Sequence, residues 1–331
     1  MLFNPLKRRE VIAMLGGTAA ALPLAVRAQQ LAMPVIGYFS SRSAESETEN
    51  ASAFRRGLEE TGYLEGQNVG IEFRFSNGQD DRLPALAADL LSRRVAVLVA
   101  TDTPSALAAK AASTSIPIVF ATGGDPVKLG LVERLNRPNG NATGISIFVN
   151  GLGPKRLQLL REVAPDAKLI AFIVNPKGAT GQQQVREMQA GAQEIGQQIL
   201  VLNASTEREV EQAFATIVER KADAIVYSAN PFFQVVREKL VSLAARHAIP
   251  AIYEWPEFVA AGGLMSYSSN RFEAGRRTGN YTGQILKGTK PADLPVFQST
   301  KFDLVINMKA AKTIGITIPP RLLAIADEVI E

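Results

Sequence analysis

The sequence predicts an α/β protein of two lobes, each built on a parallel sheet, joined by a hinge. Three observations predict it. Short apolar runs alternate with helical patterns along most of the chain, which implies βαβ units and parallel pairing. The rhythm breaks at the turn-rich stretch Phe148-Val149-Asn150-Gly151-Leu152-Gly153-Pro154 and then restarts. The length of 331 residues suits about two domains.

The first half reads as strand Pro34–Phe39, helix Glu47–Gly62, strand Val69–Phe75, helix Arg82–Ser92, strand Val95–Ala100 and helix Pro104–Ser113. Strand Ile116–Ala121, helix Pro126–Leu135 and strand Thr143–Phe148 complete it. The second half opens with helix Lys155–Val163, strand Leu169–Val174, helix Gly181–Ile195 and strand Gln198–Leu202. Helix Glu207–Arg220, strand Ala224–Tyr227, helix Phe232–His247 and strand Pro250–Tyr253 follow. The tail adds strand Gly263–Tyr267, helix Phe272–Lys287, a Pro-containing connection, strand Phe302–Ile306 and helix Met308–Thr313. It is long enough to cross back to the first lobe and return, giving three hinge strands. The expected division is 29–149 plus about 265–300 for lobe 1, and 150–264 plus about 301–331 for lobe 2.

Residues 1–28 read as a cleaved export signal. Lys7-Arg8-Arg9 is a basic start, Val11–Val26 is apolar, and Val26-Arg27-Ala28 ends in a small residue for a cut after Ala28. The pair Arg8-Arg9 before Glu10, Val11 and Ile12 predicts the twin-arginine route, with general secretion as the alternative. The apolar run is short for a span of about 20 residues. The expected location is the periplasm.

The formal charge is +4, and most of it lies in that signal, so the body offers no basic footprint for nucleic acid. There are no cysteines and one histidine, His247. That excludes disulfides and thiolate metal sites, and it argues against histidine-based catalysis. No Gly-rich dinucleotide loop, phosphate loop or nucleophile elbow is present. The expectation is therefore no enzyme, no cofactor and no metal.

Several strands end in a polar residue shortly before proline: Asp102-Thr103-Pro104, Gly124-Asp125-Pro126, Asn175-Pro176, Asn230-Pro231 and Glu254-Trp255-Pro256. Each is good helix-start chemistry taken singly. Together they lie at the carboxyl ends of parallel strands, the edge where open α/β sheets bind ligands. The predicted ligand contacts are Ser40, Ser41, Thr101, Asp102, Thr103, Gly124 and Asp125 from lobe 1. Lobe 2 should supply Asn175, Asn230, Tyr253, Glu254 and Trp255. Hydroxyls and N–H groups of lobe 1 are expected to hold a carboxylate, and Asp125 or Glu254 to meet an ammonium.

Three segments carry a family resemblance: Phe54-Arg55-Arg56-Gly57-Leu58-Glu59-Glu60-Thr61-Gly62-Tyr63 with Glu65-Gly66-Gln67-Asn68-Val69, Ile116–Phe120 leading to Gly124-Asp125-Pro126, and Ala261-Gly262-Gly263-Leu264-Met265-Ser266-Tyr267. They resemble the ABC-transporter substrate-binding proteins that include the TrpX-like tryptophan- and phenylalanine-binding lipoproteins. The resemblance implies a type I periplasmic-binding-protein fold: two Rossmann-like lobes, three hinge crossings and a solute in the cleft. It implies an ABC permease in the inner membrane as partner, a monomer, and no catalysis. The chain departs from the lipoproteins in lacking a lipobox cysteine. The alternatives are a periplasmic sensing subunit for a membrane receptor and an enzyme on the same scaffold.

Overall fold

The computed structural model describes residues 33–331. The expected export signal, Met1–Ala28, lies outside them. Chain order begins with β1 (Val35–Ser40), α1 (Thr48–Glu59), β2 (Gly70–Phe75), α2 (Leu83–Ser92), β3 (Val97–Ala100), α3 (Thr103–Ala112), β4 (Ile118–Thr122) and β5 (Ala142–Ser146). It continues with α4 (Gly153–Val163), β6 (Leu169–Val174), α5 (Gly181–Glu194), β7 (Gln198–Asn203), α6 (Glu207–Glu219), β8 (Ala224–Tyr227), α7 (Pro231–Val235), α8 (Arg237–Arg246), β9 (Ala251–Tyr253), α9 (Pro256–Ala260) and β10 (Met265–Ser269). The tail holds α10 (Arg271–Leu286), β11 (Phe297–Gln298), β12 (Phe302–Asn307), α11 (Met308–Thr313), α12 (Pro320–Ile325) and β13 (Glu328–Ile330).

Two sheets result. The first runs β2-β1-β3-β4-β5-β11 and is parallel throughout. The second runs β7-β6-β8-β9-β10-β12-β13, with β12 antiparallel to β10 and the other pairs parallel. The central strands are apolar on both faces because helices cover both. In the first sheet Phe39, Leu98 and Phe120 fill one side, and Ile36, Tyr38, Val97 and Val119 the other. In the second, Ile173, Tyr227 and Tyr253 oppose Phe172, Val226 and Ile252.

The chain passes between sheets three times: after β5, after β10 and after β11. Since β10 pairs with β9 and β12, the return to the first sheet begins at Asn270 rather than near 265. The returning helix α10 docks on α1 through glycines. A Cβ at Gly57 would lie 1.8 Å from the Arg276 carbonyl oxygen, and one at Gly279 would lie 2.0 Å from that of Phe54. The backbones thus approach closer than any side chain permits.

Two expected elements differ. No helix forms over Pro126–Leu135; the segment is a series of turns. The Asp125 carboxylate accepts from the backbone N–H groups of Val127 and Lys128, and Gly130 takes a positive φ of 71°, so the turn closes on itself. Leu131 and Val132 are nevertheless buried beside Phe120. The expected helix Phe232–His247 is two helices, broken at Val236, whose φ of −101° and ψ of 19° leave the helical region. No helix among the described residues is long and apolar enough to cross a membrane.

Candidate functional site

Each sheet reverses its strand order once: between β1 and β3 in the first, and between β6 and β8 in the second. The loops leaving such neighbours diverge and open a crevice at the carboxyl edge. Here the two crevices face each other. The shared cavity is lined by Arg42, Asp102 and Thr103 from one side, Ala179, Thr180, Asn230 and Trp255 from the other, and Asn150 at the first crossing.

Its electrostatics centre on Arg42 and Asp102. Asp102 caps α3: its Oδ1 accepts from the Ser105 N–H at 2.9 Å. Its Oδ2 accepts from the Ser40 hydroxyl, the Ser41 hydroxyl and the Ser41 N–H at 2.8–2.9 Å. That fixes the loop carrying Arg42. The Arg42 Nη1 donates to Glu47 at 2.8 Å and to the Thr101 carbonyl at 3.1 Å. Its Nε is buried without a partner among the described residues. Burial works against the guanidinium's charge, but Glu47 and Asp102 more than offset it and raise its pKa. The cleft therefore holds a fixed cation with an unused donor.

Of the predicted contacts, Asp102, Thr103, Asn230 and Trp255 line the cavity. Ser40 and Ser41 are fully buried, with their hydroxyls donated to Asp102. Thr101 offers its carbonyl to Arg42. Gly124 packs beside Thr180, where a Cβ would sit 3.2 Å from its methyl. Asp125 serves its own turn. Asn175 donates to the Asn230 side-chain oxygen at 3.1 Å and sets that residue's orientation. The Tyr253 ring stacks between Tyr227 and Phe258 and lines a different cavity, of about 470 Å³, with Val241, Leu264 and Ile314. Glu254 is fully buried, and burial pushes its carboxyl up to about 7 against the pull of Arg156.

Sequence reasoning missed Arg42, Asn150 and Thr180. Arg42 follows two serines in a loop without a motif. Asn150 lies in the turn-rich seam, and its Nδ2 donates to Thr180 across the cleft at 2.7 Å.

The lobes are closed. Arg271 donates to Glu47 of lobe 1 at 3.2 Å and to Glu257 of lobe 2 at 2.6 Å. Only about 30 Å³ remains in the cleft, room for little more than water. Solute sites ordinarily enclose about 300–1,000 Å³, so the cleft in this form is smaller than such a site.

Residues 40–330 match the family described as ABC transporter substrate binding protein. A tyrosine-binding protein of Clostridioides difficile (strain R20291) is 28% identical over 267 residues, covering 79% of this chain and 75% of that protein. The ABC domain of Streptococcus pneumonia solved with L-Trp superposes with a TM-score of 0.81 at 28% identity, covering 90% of this chain and 99% of that one. A ligand-free, open substrate-binding protein with adhesive properties from Clostridium difficile gives only 0.65 at 27% identity and the same coverage. At 28% and 27% identity, the chain superposes better on the L-Trp complex than on the ligand-free, open structure. The fold is that of type I periplasmic binding proteins, and the chain belongs to the ABC transporter substrate binding protein family.

Proposed function

We propose that the chain is the exported solute-binding component of an ABC importer, and that it captures an amino acid or aromatic carboxylate between its lobes. The observation that carries this reading is the buried Arg42, with an unused Nε donor, in a cleft that also contains Trp255. A guanidinium binds a carboxylate as a fork, and an indole offers a ring surface. The names of the relatives, tyrosine-binding and L-Trp-bound, support the same solute class.

The physical scheme is a hinge. The open lobes expose Arg42, the solute's carboxylate docks there, and the second lobe closes over it. The closed form then presents one joined surface to a permease in the inner membrane. Secretion follows from the basic, apolar and small-residue order of residues 1–28, with cleavage after Ala28 and the twin-arginine route. The protein acts as a monomer in the periplasm without chemical turnover.

A thermal-shift screen of residues 29–331 against L-tyrosine, L-tryptophan, L-phenylalanine and aromatic acids tests the solute class. A ligand at 100 times its Kd adds about 2.7 kcal/mol of stability. No shift with any of them would remove this reading. N-terminal sequencing of exported protein should begin at Gln29, and an intact Met1 would refute cleavage.

A further inference from the structure

A second cavity lies at the other edge of the second sheet. It encloses about 470 Å³, within the range of solute sites, although close packing ordinarily leaves few spaces larger than a water. Its wall includes Ile249 before β9, Gly263 before β10, Lys309 after β12 and Ile330 at the end of β13. Since β12 runs antiparallel to β10, and β13 parallel to β12, these four positions share the amino edge of the parallel strands. The cleft occupies the carboxyl edge, and no residue lines both.

The space exists because many residues around it are small. Ala244 on α8, Ala260 on α9, and Ala261 and Gly262 just beyond it leave the middle unfilled. Ala261-Gly262-Gly263-Leu264 opens one of the segments that carry the family resemblance, and the cleft makes no use of it. Gly263 has no room for a side chain: a Cβ would lie 2.7 Å from both the Phe258 carbonyl oxygen and Tyr253 Cε2. The larger apolar side chains of the wall are aliphatic: Val241, Ile249, Leu264, Ile314 and Ile330. Tyr253 is the one aromatic among the lining residues, and Tyr227 and Phe258 already cover both its faces, at 5.0 and 4.8 Å between centroids. It is 1% exposed, and its hydroxyl bonds to no group among the described residues. A buried tyrosine hydroxyl ordinarily has a partner. Lys309 is the one charged lining residue, with no acid beside it in the wall.

We propose that this cavity is a second binding site, for a medium-chain fatty acid, with the alkyl chain against the aliphatic wall and the carboxylate at Lys309. The lining decides the class. An aromatic ligand would find no free ring face to stack on, since both faces of Tyr253 are taken. An alkyl chain needs none and gains from area alone. A lysine ammonium attracts a carboxylate as a point charge, and the Tyr253 hydroxyl is a further donor in the wall. The inference uses neither Arg42 nor Trp255 and stands or falls apart from the proposed function.

Calorimetric titration of residues 29–331 with hexanoate, octanoate and decanoate, each below its micelle concentration, is the test. Binding should saturate at one site, and affinity should rise about fourfold for each added methylene that is buried. Ala245→Leu and Ala310→Leu, on α8 and α11, put a larger side chain into the cavity from two sides. Leucine keeps the helix propensity of both positions, and circular dichroism checks the fold. Each should weaken decanoate about tenfold or more, the burial of roughly two methylenes. Lys309→Met should weaken decanoate about fivefold, the upper end for an exposed ion pair, and leave the uncharged 1-decanol within about twofold. Decanoate uptake that does not saturate, affinity that ignores chain length, or binding undiminished in both leucine variants overturns the inference. Decanoate binding abolished by Arg42→Met would put the chain in the cleft and overturn it as well.

Discussion

The guanidinium carbon of Arg271 lies 4.9 Å from the centroid of the Trp255 ring. Arg271 opens α10, where a cation opposes the helix dipole. It is held there by Glu47 and Glu257, one from each lobe. A residue that breaks a local rule points to a gain elsewhere, and here the gain is a latch that closes over a ring of the binding cleft.

Arg271→Gln should therefore weaken solute binding more than folding. A desolvated cation–π contact contributes about 2 kcal/mol, which predicts roughly a thirtyfold loss of affinity by calorimetry. The urea midpoint should change little. Unaltered affinity would show that the latch has no part in closure.

Asp102 should matter for stability first. Asp102→Ala removes the α3 cap, a loss of about 0.5–2 kcal/mol, and also strands the donors of Ser40 and Ser41. Denaturant unfolding should place it at or beyond the upper end of that range. Asp102→Asn, which can still accept from Ser105, should fall between Ala and the parent.

The α1–α10 contact predicts a packing defect. Gly279→Ala sets a methyl 2.0 Å from the Phe54 carbonyl oxygen, so the helices must separate. Overpacking costs about 1–3 kcal/mol. A urea midpoint equal to that of the parent would mean that this return helix is not packed as described.

Glu254 also predicts a pH dependence of stability. Burial pushes its folded pKa up to about 7, above the ordinary glutamate range. The folded state therefore binds the extra proton, and this group's contribution falls as pH rises from about 4.5 to 7, then stays level. The difference in unfolding free energy between parent and Glu254→Gln should shift in the variant's favour across that window. A difference independent of pH would contradict a carboxyl whose pKa is raised by burial.

Much of the fold was legible because burial on both sheet faces leaves continuous apolar runs such as Leu169–Val174 and Val97–Ala100. The helix expected at Pro126–Leu135 failed because its apolar residues satisfy burial from within turns once Asp125 and Gly130 close them. The short pieces α9, β11, α12 and β13 carry too few residues for a periodic signal. At the site, position after a strand end located Asp102, Thr103, Asn230 and Trp255. It could not reveal that Ser40 and Ser41 spend their hydroxyls on Asp102, since β1 and β3 become neighbours only in the fold. Arg42 is invisible for a related reason: Glu47 closes its own loop, but Thr101 and Asp102 reach it from the loop after β3.

The central claim is that Arg42 receives the carboxylate of a solute between the lobes, and paired calorimetric titrations test it most directly. Residues 29–331 are titrated with L-tryptophan and tryptamine, and with L-tyrosine and tyramine, which differ by the carboxylate alone. Losing a hydrogen bond to a charged group costs about 1.5–3 kcal/mol, so at least one amino acid should bind about tenfold or more tighter than its amine. Arg42→Met should erase that preference. Equal affinity for acid and amine, or a preference that survives Arg42→Met, would contradict the account.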